Sequence, residues 1–159
     1  MEASVRRIGL ISDTHGLVRA EALAALRGSE LILHAGDIGS PEVLAALREL
    51  APVVAVRGNT DRDEWARGIA DTQEVQIGAA WVHLLHEVDR LAIDPAAAGF
   101  QVVVFGHSHR PAVERRNGVL FVNPGSAGPR RFTLPVSVAR LEIHPAGVAA
   151  EIQRLDIES

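Results

Sequence analysis

The chain contains no cysteine, which excludes disulfides, thiolate nucleophiles and thiolate-held metals. A bound metal would have to be held by His, Asp, Asn or Glu, a donor set suited to hard and borderline ions. Long apolar runs are also missing. No stretch approaches a membrane span, and the apolar run in "MEASVRRIGLIS" is too short for a signal peptide. The expected compartment is the cytoplasm, with no membrane partner. Excess positive charge is absent too. A formal charge of −4 argues against holding nucleic acid mainly by electrostatics. A phosphate-bearing substrate stays open, because a bound metal reverses the local sign.

What is present fits one domain spanning residues 1–159, long enough to bury a proper core. Apolar residues make up 47% and charged residues 23%, near the soluble globular average. No internal repeat or low-complexity linker interrupts the chain. "RRIGLIS" reads as a buried strand, followed by a helix in "LVRAEALAALRG" with Leu17, Leu23 and Leu26 on its apolar side. "ELILHAG" is the next strand. "SPEVLAALREL" is the next helix, with Ser40 as N-cap, Pro41 in the first turn and Glu42 at the positive end of the dipole. "PVVAVRG" completes a βαβαβ rhythm, which implies parallel strands. Farther on, "TQEVQIG" and "AWVHLLH" read as strands joined at Gly78 and Ala79, then a helical or irregular stretch runs from Leu91 to Ala98. "FQVVVFG", a hairpin at the "NG" between "AVERR" and "VLFVN", and a final strand pair follow. The chain begins α/β and ends antiparallel, which two packed sheets with helices outside would satisfy.

The polar residues fall at strand ends. "GLISDTHG" ends on Asp13 and His15, "LILHAGDIG" on Asp37, and "VVAVRGNTD" on Asn59 and Asp61. "WVHLLHE" adds His86, and "VVVFGHSH" adds His107 and His109. Open α/β sheets collect ligands beyond the carboxyl ends of their strands, so these residues are candidates for one crevice. A two-metal site needs a carboxylate to bridge ions roughly 3.5–4 Å apart. Imidazole and carboxylate together suit Mn, Fe, Zn, Co or Ni. Glycines at 16, 36, 58 and 106 flank the candidates and permit sharp turns and close backbone approach.

"SDTHG", "GD", "GNTD", a lone His after a strand and "GHSH", in that order, resemble the motifs of the calcineurin-like metallophosphoesterases. The length and the "NPGS" from Asn123 to Ser126 are similar to the small bacterial and archaeal phosphodiesterase branch, and the match runs from about Arg7 to Arg131. The resemblance implies a four-layer αββα sandwich, two mixed β-sheets flanked by helices. It implies that Asp13, His15 and His109 hold one divalent ion and that Asn59, His86 and His107 hold a second, with Asp37 bridging. Asn59 would also reach the substrate phosphate, and Asp61 would orient Asn59 or a neighbouring imidazole. Manganese is expected first, with iron, zinc, nickel or cobalt as alternatives. The implied reaction is hydrolysis of a phosphodiester or phosphomonoester by a metal-held hydroxide. The implied partner is a small phosphate ester, and a homo-oligomer is allowed.

Two positions depart from the family pattern. Thr60 stands where many relatives carry a histidine that is a candidate proton donor to the leaving group, and "HEV", His86 to Val88, replaces the usual "HGH". Glu87 can serve as a proton donor only if its pKa is raised. A selective catalyst for good leaving groups follows. Other residues read as bystanders: His34 and His83 as core or supporting histidines, and His144, Arg130 and Arg131 as solvated. The "NPGS" turn is a candidate buttress. Two other functions compete. A non-catalytic scaffold is known on this fold in a retromer subunit, but the full ligand set favours the enzyme. A nuclease is disfavoured by the acidic balance.

Overall fold

The computed structural model describes residues 5–131 and 133–157; residues 1–4, part of the segment read for targeting, lie outside it. Among the described residues the order is β1 (Arg6–Ile11), α1 (Ala20–Leu26), β2 (Leu31–His34), α2 (Pro41–Arg48), β3 (Val53–Ala55), β4 (Thr72–Ile77) and β5 (Ala80–Leu85), then β6 (Val102–Val104), β7 (Ala112–Arg116), β8 (Val119–Asn123), β9 (Ser137–His144) and β10 (Gly147–Arg154). Short 3-10 turns cover Glu64–Ala66 and Val88–Arg90. No helix among these residues is long and apolar enough to cross a membrane.

Two mixed sheets form. One has the order β10-β9-β1-β2-β3, and the other β4-β5-β6-β8-β7. In the first, β1, β2 and β3 are parallel, as the helical crossovers require, while β9 and β10 are antiparallel. In the second, β5, β6 and β8 are parallel and flanked by antiparallel β4 and β7. Strand alternation sorts the apolar side chains. Ile8, Leu10 and Leu33 meet Val82, Leu84, Val102 and Val122 between the sheets, all nearly or fully buried. Ile11 and Ile32 face the other way, onto Leu26, Val43 and Leu47 of the helices. Each such side chain contributes about 1.5–3 kcal/mol on burial.

The expected αββα sandwich is thus present, with unequal outer layers. Both α-helices cover the first sheet, while Leu85, Val103, Val119 and Phe121 of the second are covered by Val88, Leu91 and Phe105. That cover is a 3-10 turn and irregular chain, which is what the Leu91–Ala98 stretch becomes. Two local expectations shift. Helix α1 begins at Ala20, not at Leu17, which is 37% exposed. His15 and Gly16 both have positive φ and the Leu17 N–H closes back onto the Thr14 carbonyl, so the chain turns before a helix can start. Ser40 is the N-cap of α2, but its side chain makes no capping hydrogen bond; Pro41 supplies the fixed first turn.

His34, the last residue of β2, ties the loops that follow β1 and β2. The Gly36 amide donates to its Nδ1 at 3.1 Å, and its Nε2 lies 3.0 Å from Thr14 Oγ1. The Thr14 hydroxyl in turn donates to the Ile38 carbonyl at 2.7 Å. With Nδ1 an acceptor, the proton sits on Nε2 and each group is satisfied. The ring is fully buried, and desolvation pushes its pKa down to about 4 against the pull of Asp13, Asp61 and Asp37. A folded pKa below the unfolded one means that the unfolded chain binds more protons between these values. The stability His34 contributes is present above pH 6.5 and is lost as pH falls towards 4. Urea denaturation from pH 7.5 to 5 should show a loss of about 2 kcal/mol from this residue, seen as the slope that wild type has and His34→Gln lacks. Equal slopes for the two proteins would contradict the assignment.

Candidate metal centre

The loops after β1 and β2 run side by side, joined by backbone bonds from Asp13 N to Gly36 O, His15 N to Asp37 O and Gly16 N to Ile38 O at 2.8–3.0 Å. Gly106 N bonds the His86 carbonyl at 3.0 Å and Ala127 N bonds the Ser12 carbonyl at 3.1 Å, which brings the second sheet's loops to the same place. The candidates therefore converge because parallel strands end together on one side of the sandwich. The loops also hold a costly backbone geometry. Asp13, His15, Asp37, His107 and His109 have φ between 46° and 74°, a region that non-glycine residues rarely occupy. Of the six such residues described, only Asn117 of the "NG" hairpin is not a candidate ligand. Gly58 and Gly106 are glycine for space: a Cβ on either would collide with the Asp37 carboxylate or with Ser12 and Asp13 respectively.

Two groups of ligand atoms result. Asp13, His15 and His109 form one, and Asp37, His86 and His107 the other, with the atoms of each within 4.8 Å of one another. Asp13 Oδ2 accepts from the Ser12 hydroxyl at 2.7 Å and the His107 amide at 3.1 Å. Its Oδ1 faces His109 Nε2 at 3.4 Å, His86 Nε2 at 3.8 Å and His15 Nε2 at 3.9 Å. Asp37 Oδ1 accepts from the Thr60 amide at 3.0 Å, which turns Oδ2 towards His86 Nε2 at 3.2 Å and His15 Nε2 at 3.7 Å. One Asp37 oxygen thus faces both groups. Asn59 Oδ1 lies 3.2 Å from His107 Nδ1, on the same side as the second group.

These residues fit divalent ions. Asp13 Oδ1, His15 Nε2 and His86 Nε2 are buried and have no hydrogen-bond partner, a state that a cation relieves and an empty apolar core does not. His86 lies with Nδ1 2.7 Å from the Ala35 carbonyl, so Nδ1 carries the proton and Nε2 is left as the donor atom. Burial alone raises the pKa of Asp13, but the neighbouring His109 imidazole, the Ser12 hydroxyl and the charge of His86 outweigh it, and the net shift is downward. Asp37 follows the same pattern: burial opposes ionisation, and His86 and the Thr60 amide hold the carboxyl well below the ordinary range. Burial disfavours the His86 cation, yet Asp37 and Asp13 raise its pKa overall. An ion bound here would take its place beside the two carboxylates and favour the unprotonated imidazole.

The remaining candidates fall around this centre. Asp61 is buried, but it touches neither the Asn59 side chain nor an imidazole. Its Oδ2 accepts from Ile38 N and Gly58 N, and its Oδ1 from Gly39 N, all at 3.0 Å. The expected orienting role is corrected accordingly: Asp61 clamps the backbone on both sides of the Asp37 and Asn59 loops. The "NPGS" turn is a buttress. Asn123 donates to the Gly106 carbonyl and Ser108 Oγ at 3.1 Å, and Ser126 donates to the Asp13 carbonyl at 3.0 Å. Asn123 also ends β8, which runs parallel to β6, so a further strand end joins the site. Glu87 accepts from Arg90 at 2.8 Å and lies 3.9 Å from His107. His83 is a core histidine packed edge-on to Phe100, its pKa lowered by burial despite Glu74. His144 is half-buried, not solvated, at the end of β9, and Arg130 and Arg131 are exposed. Sequence reasoning missed a cavity of about 300 Å³ that adjoins Asn59 and His86 and is lined by Arg57, Arg62 and Arg90; arginines scattered along the chain gave no signal for it.

Residues 7–145 match the calcineurin-like phosphoesterase superfamily domain. A probable metallophosphoesterase of Methanothermobacter thermautotrophicus is 36% identical, over 92% of this chain and 91% of that protein. Phosphodiesterase YfcE of Escherichia coli K12 is 30% identical, over 82% and 84%. Among solved structures, vacuolar protein sorting 29 of Cryptosporidium parvum shares the fold with a TM-score of 0.75 at 20% identity, covering 96% of this chain and 99% of that one. The chain belongs to the calcineurin-like phosphoesterase superfamily and is a metal-dependent phosphoesterase.

Proposed function

We propose that the chain, as a single domain, hydrolyses a small phosphodiester or phosphomonoester with two divalent ions, manganese first. Asp13, His15 and His109 hold one ion, Asn59, His86 and His107 the other, and Asp37 joins them. The observation that carries this reading is Asp37 Oδ2, which faces His15 of one group at 3.7 Å and His86 of the other at 3.2 Å. When bound, such a pair of ions activates a water as nucleophile and offsets charge on the phosphoryl oxygens. The chain's own residues supply position. Thr60 N–H fixes Asp37, Ala35 fixes His86, and the Asp61 carboxylate holds the amides of both loops. Asn59 sits on the open side with exposed His107, and its amide N–H groups are free to donate to a phosphoryl oxygen.

Proton supply to the leaving group is the weak point of this site. Thr60 offers no titrating group, and Glu87 already accepts from Arg90, the opposite of a donor's role. Catalysis should therefore depend on the leaving group's own acidity. The scaffold alternative gains nothing from the site, because each ligand position is filled. YfcE is named a phosphodiesterase at 30% identity, which supports the diester reading.

Metal analysis with Mn-dependent turnover of bis-p-nitrophenyl phosphate and p-nitrophenyl phosphate tests the proposal. Turnover of at least one ester is expected; none with any divalent metal would overturn it. Asp37→Ala should lower turnover by more than about a hundredfold and reduce occupancy at both ions; an active variant retaining both ions would refute the shared-ligand role. In a series of aryl diesters, kcat/KM should fall steeply as the leaving phenol becomes less acidic. A flat series would mean that a proton donor exists.

A further inference from the structure

The cavity beside the metal centre is walled by three arginines from two segments. Arg57 and Arg62 flank Asn59, while Arg90 ends the 3-10 turn that begins one residue after Glu87. Asn59 and His86 belong to both the cavity and the metal centre, so a phosphoryl group at the ions would have its remaining substituent directed along this wall. Each guanidinium has an acceptor at its Nε. Arg57 is paired with Asp71 through Nε and Nη2 at 3.1 and 2.9 Å. Arg90 uses Nε for Glu87 at 2.8 Å, and Arg62 uses Nε for the Asn59 carbonyl at 3.1 Å. Among the described residues no carboxylate pairs with Arg62, and both terminal nitrogens of Arg62 and of Arg90 carry no hydrogen bond. Oriented guanidinium edges of this kind match phosphate oxygens in paired hydrogen bonds. The carboxylates lining the cavity, Asp71 and Glu87, are both already engaged by arginine.

The unusual "HEV" then has a chemical reason. Glu87 accepts from Arg90 Nε and so anchors that arginine, whose side chain is otherwise 81% exposed. A glycine at position 87 would leave that arginine untethered.

We propose that this arginine-walled cavity is a subsite for a second phosphoryl group, so that the substrate is a phosphate ester whose non-reacting part carries another phosphate. Arg62 and Arg90 recognise that group, and Glu87 positions Arg90. The proposal rests on the phosphoesterase reading of the adjoining centre, and its test is a binding measurement that does not require turnover. Calorimetry on the Mn-loaded protein compares thymidine 3′,5′-bisphosphate with thymidine 5′-monophosphate. Wild type should bind the bisphosphate at least about tenfold more tightly, well beyond the factor of about two that two equivalent phosphates give statistically. Arg62→Gln and Arg90→Gln should each reduce that ratio, and Glu87→Gln should reduce it through Arg90 alone, with no further loss in the Glu87→Gln, Arg90→Gln double variant. A wild-type ratio of two or less, or a ratio that all the single variants retain, overturns the subsite. Hydrolysis of bis-p-nitrophenyl phosphate by wild type, read separately, reports on the phosphoesterase assignment and not on this one.

Discussion

Asp13 is a fully buried carboxylate with one oxygen that no donor reaches, and the surrounding fold is organised by that demand. An unpaired buried charge costs several kcal/mol unless a partner neutralises it. Here the neighbours of Asp13 Oδ1 are imidazole nitrogens of His15, His86 and His109, and Asp37 adds a second carboxylate alongside. The two divalent cations of the proposed site would meet that demand. Unpartnered buried atoms of this kind are what a cation would relieve.

Such a cluster persists only if the chain around it cannot relax. Five candidate ligands sit in left-handed backbone geometry, at a cost of order 1–3 kcal/mol each. The loops are held there by groups that never touch the ions: His34 and Thr14 between the first two loops, Asp61 across the second and third, and Asn123 and Ser126 beneath the last. The sandwich supplies what these braces hold on to. Strands of two sheets end together, so loops distant in sequence become neighbours, and the core residues Leu10, Leu33, Leu84 and Val104 fix the strands that carry them. Function in this protein depends on the stability of loops as much as on the identity of their ligands.

Much of this was legible in the sequence because it follows short periods. The βαβαβ opening, the "NG" hairpin and the strand-end placement of Asp13, Asp37, His86 and His107 all come from local patterns, and the structure matches them. The start of α1 was not legible: Leu17 fits the helical apolar pattern, but the turn at His15 and Gly16 overrides it. The role of Asp61 was misread, because a carboxylate bonding three backbone amides leaves no trace in side-chain spacing. The arginine wall escaped for a related reason. Arg57, Arg62 and Arg90 look like ordinary surface charge until the fold brings the loops after β3 and β5 to one cavity. Local chemistry can be read along a chain, whereas cavities belong to its folding.

The proposed centre stands or falls on two cations sharing Asp37. Anomalous diffraction from crystals of the Mn-loaded protein addresses it directly. Two peaks are expected, roughly 3.5–4 Å apart, with Asp37 Oδ2 between them, one contacted by Asp13, His15 and His109 and the other by Asn59, His86 and His107. A single peak, or a pair that leaves Asp37 bound to one ion alone, would contradict it.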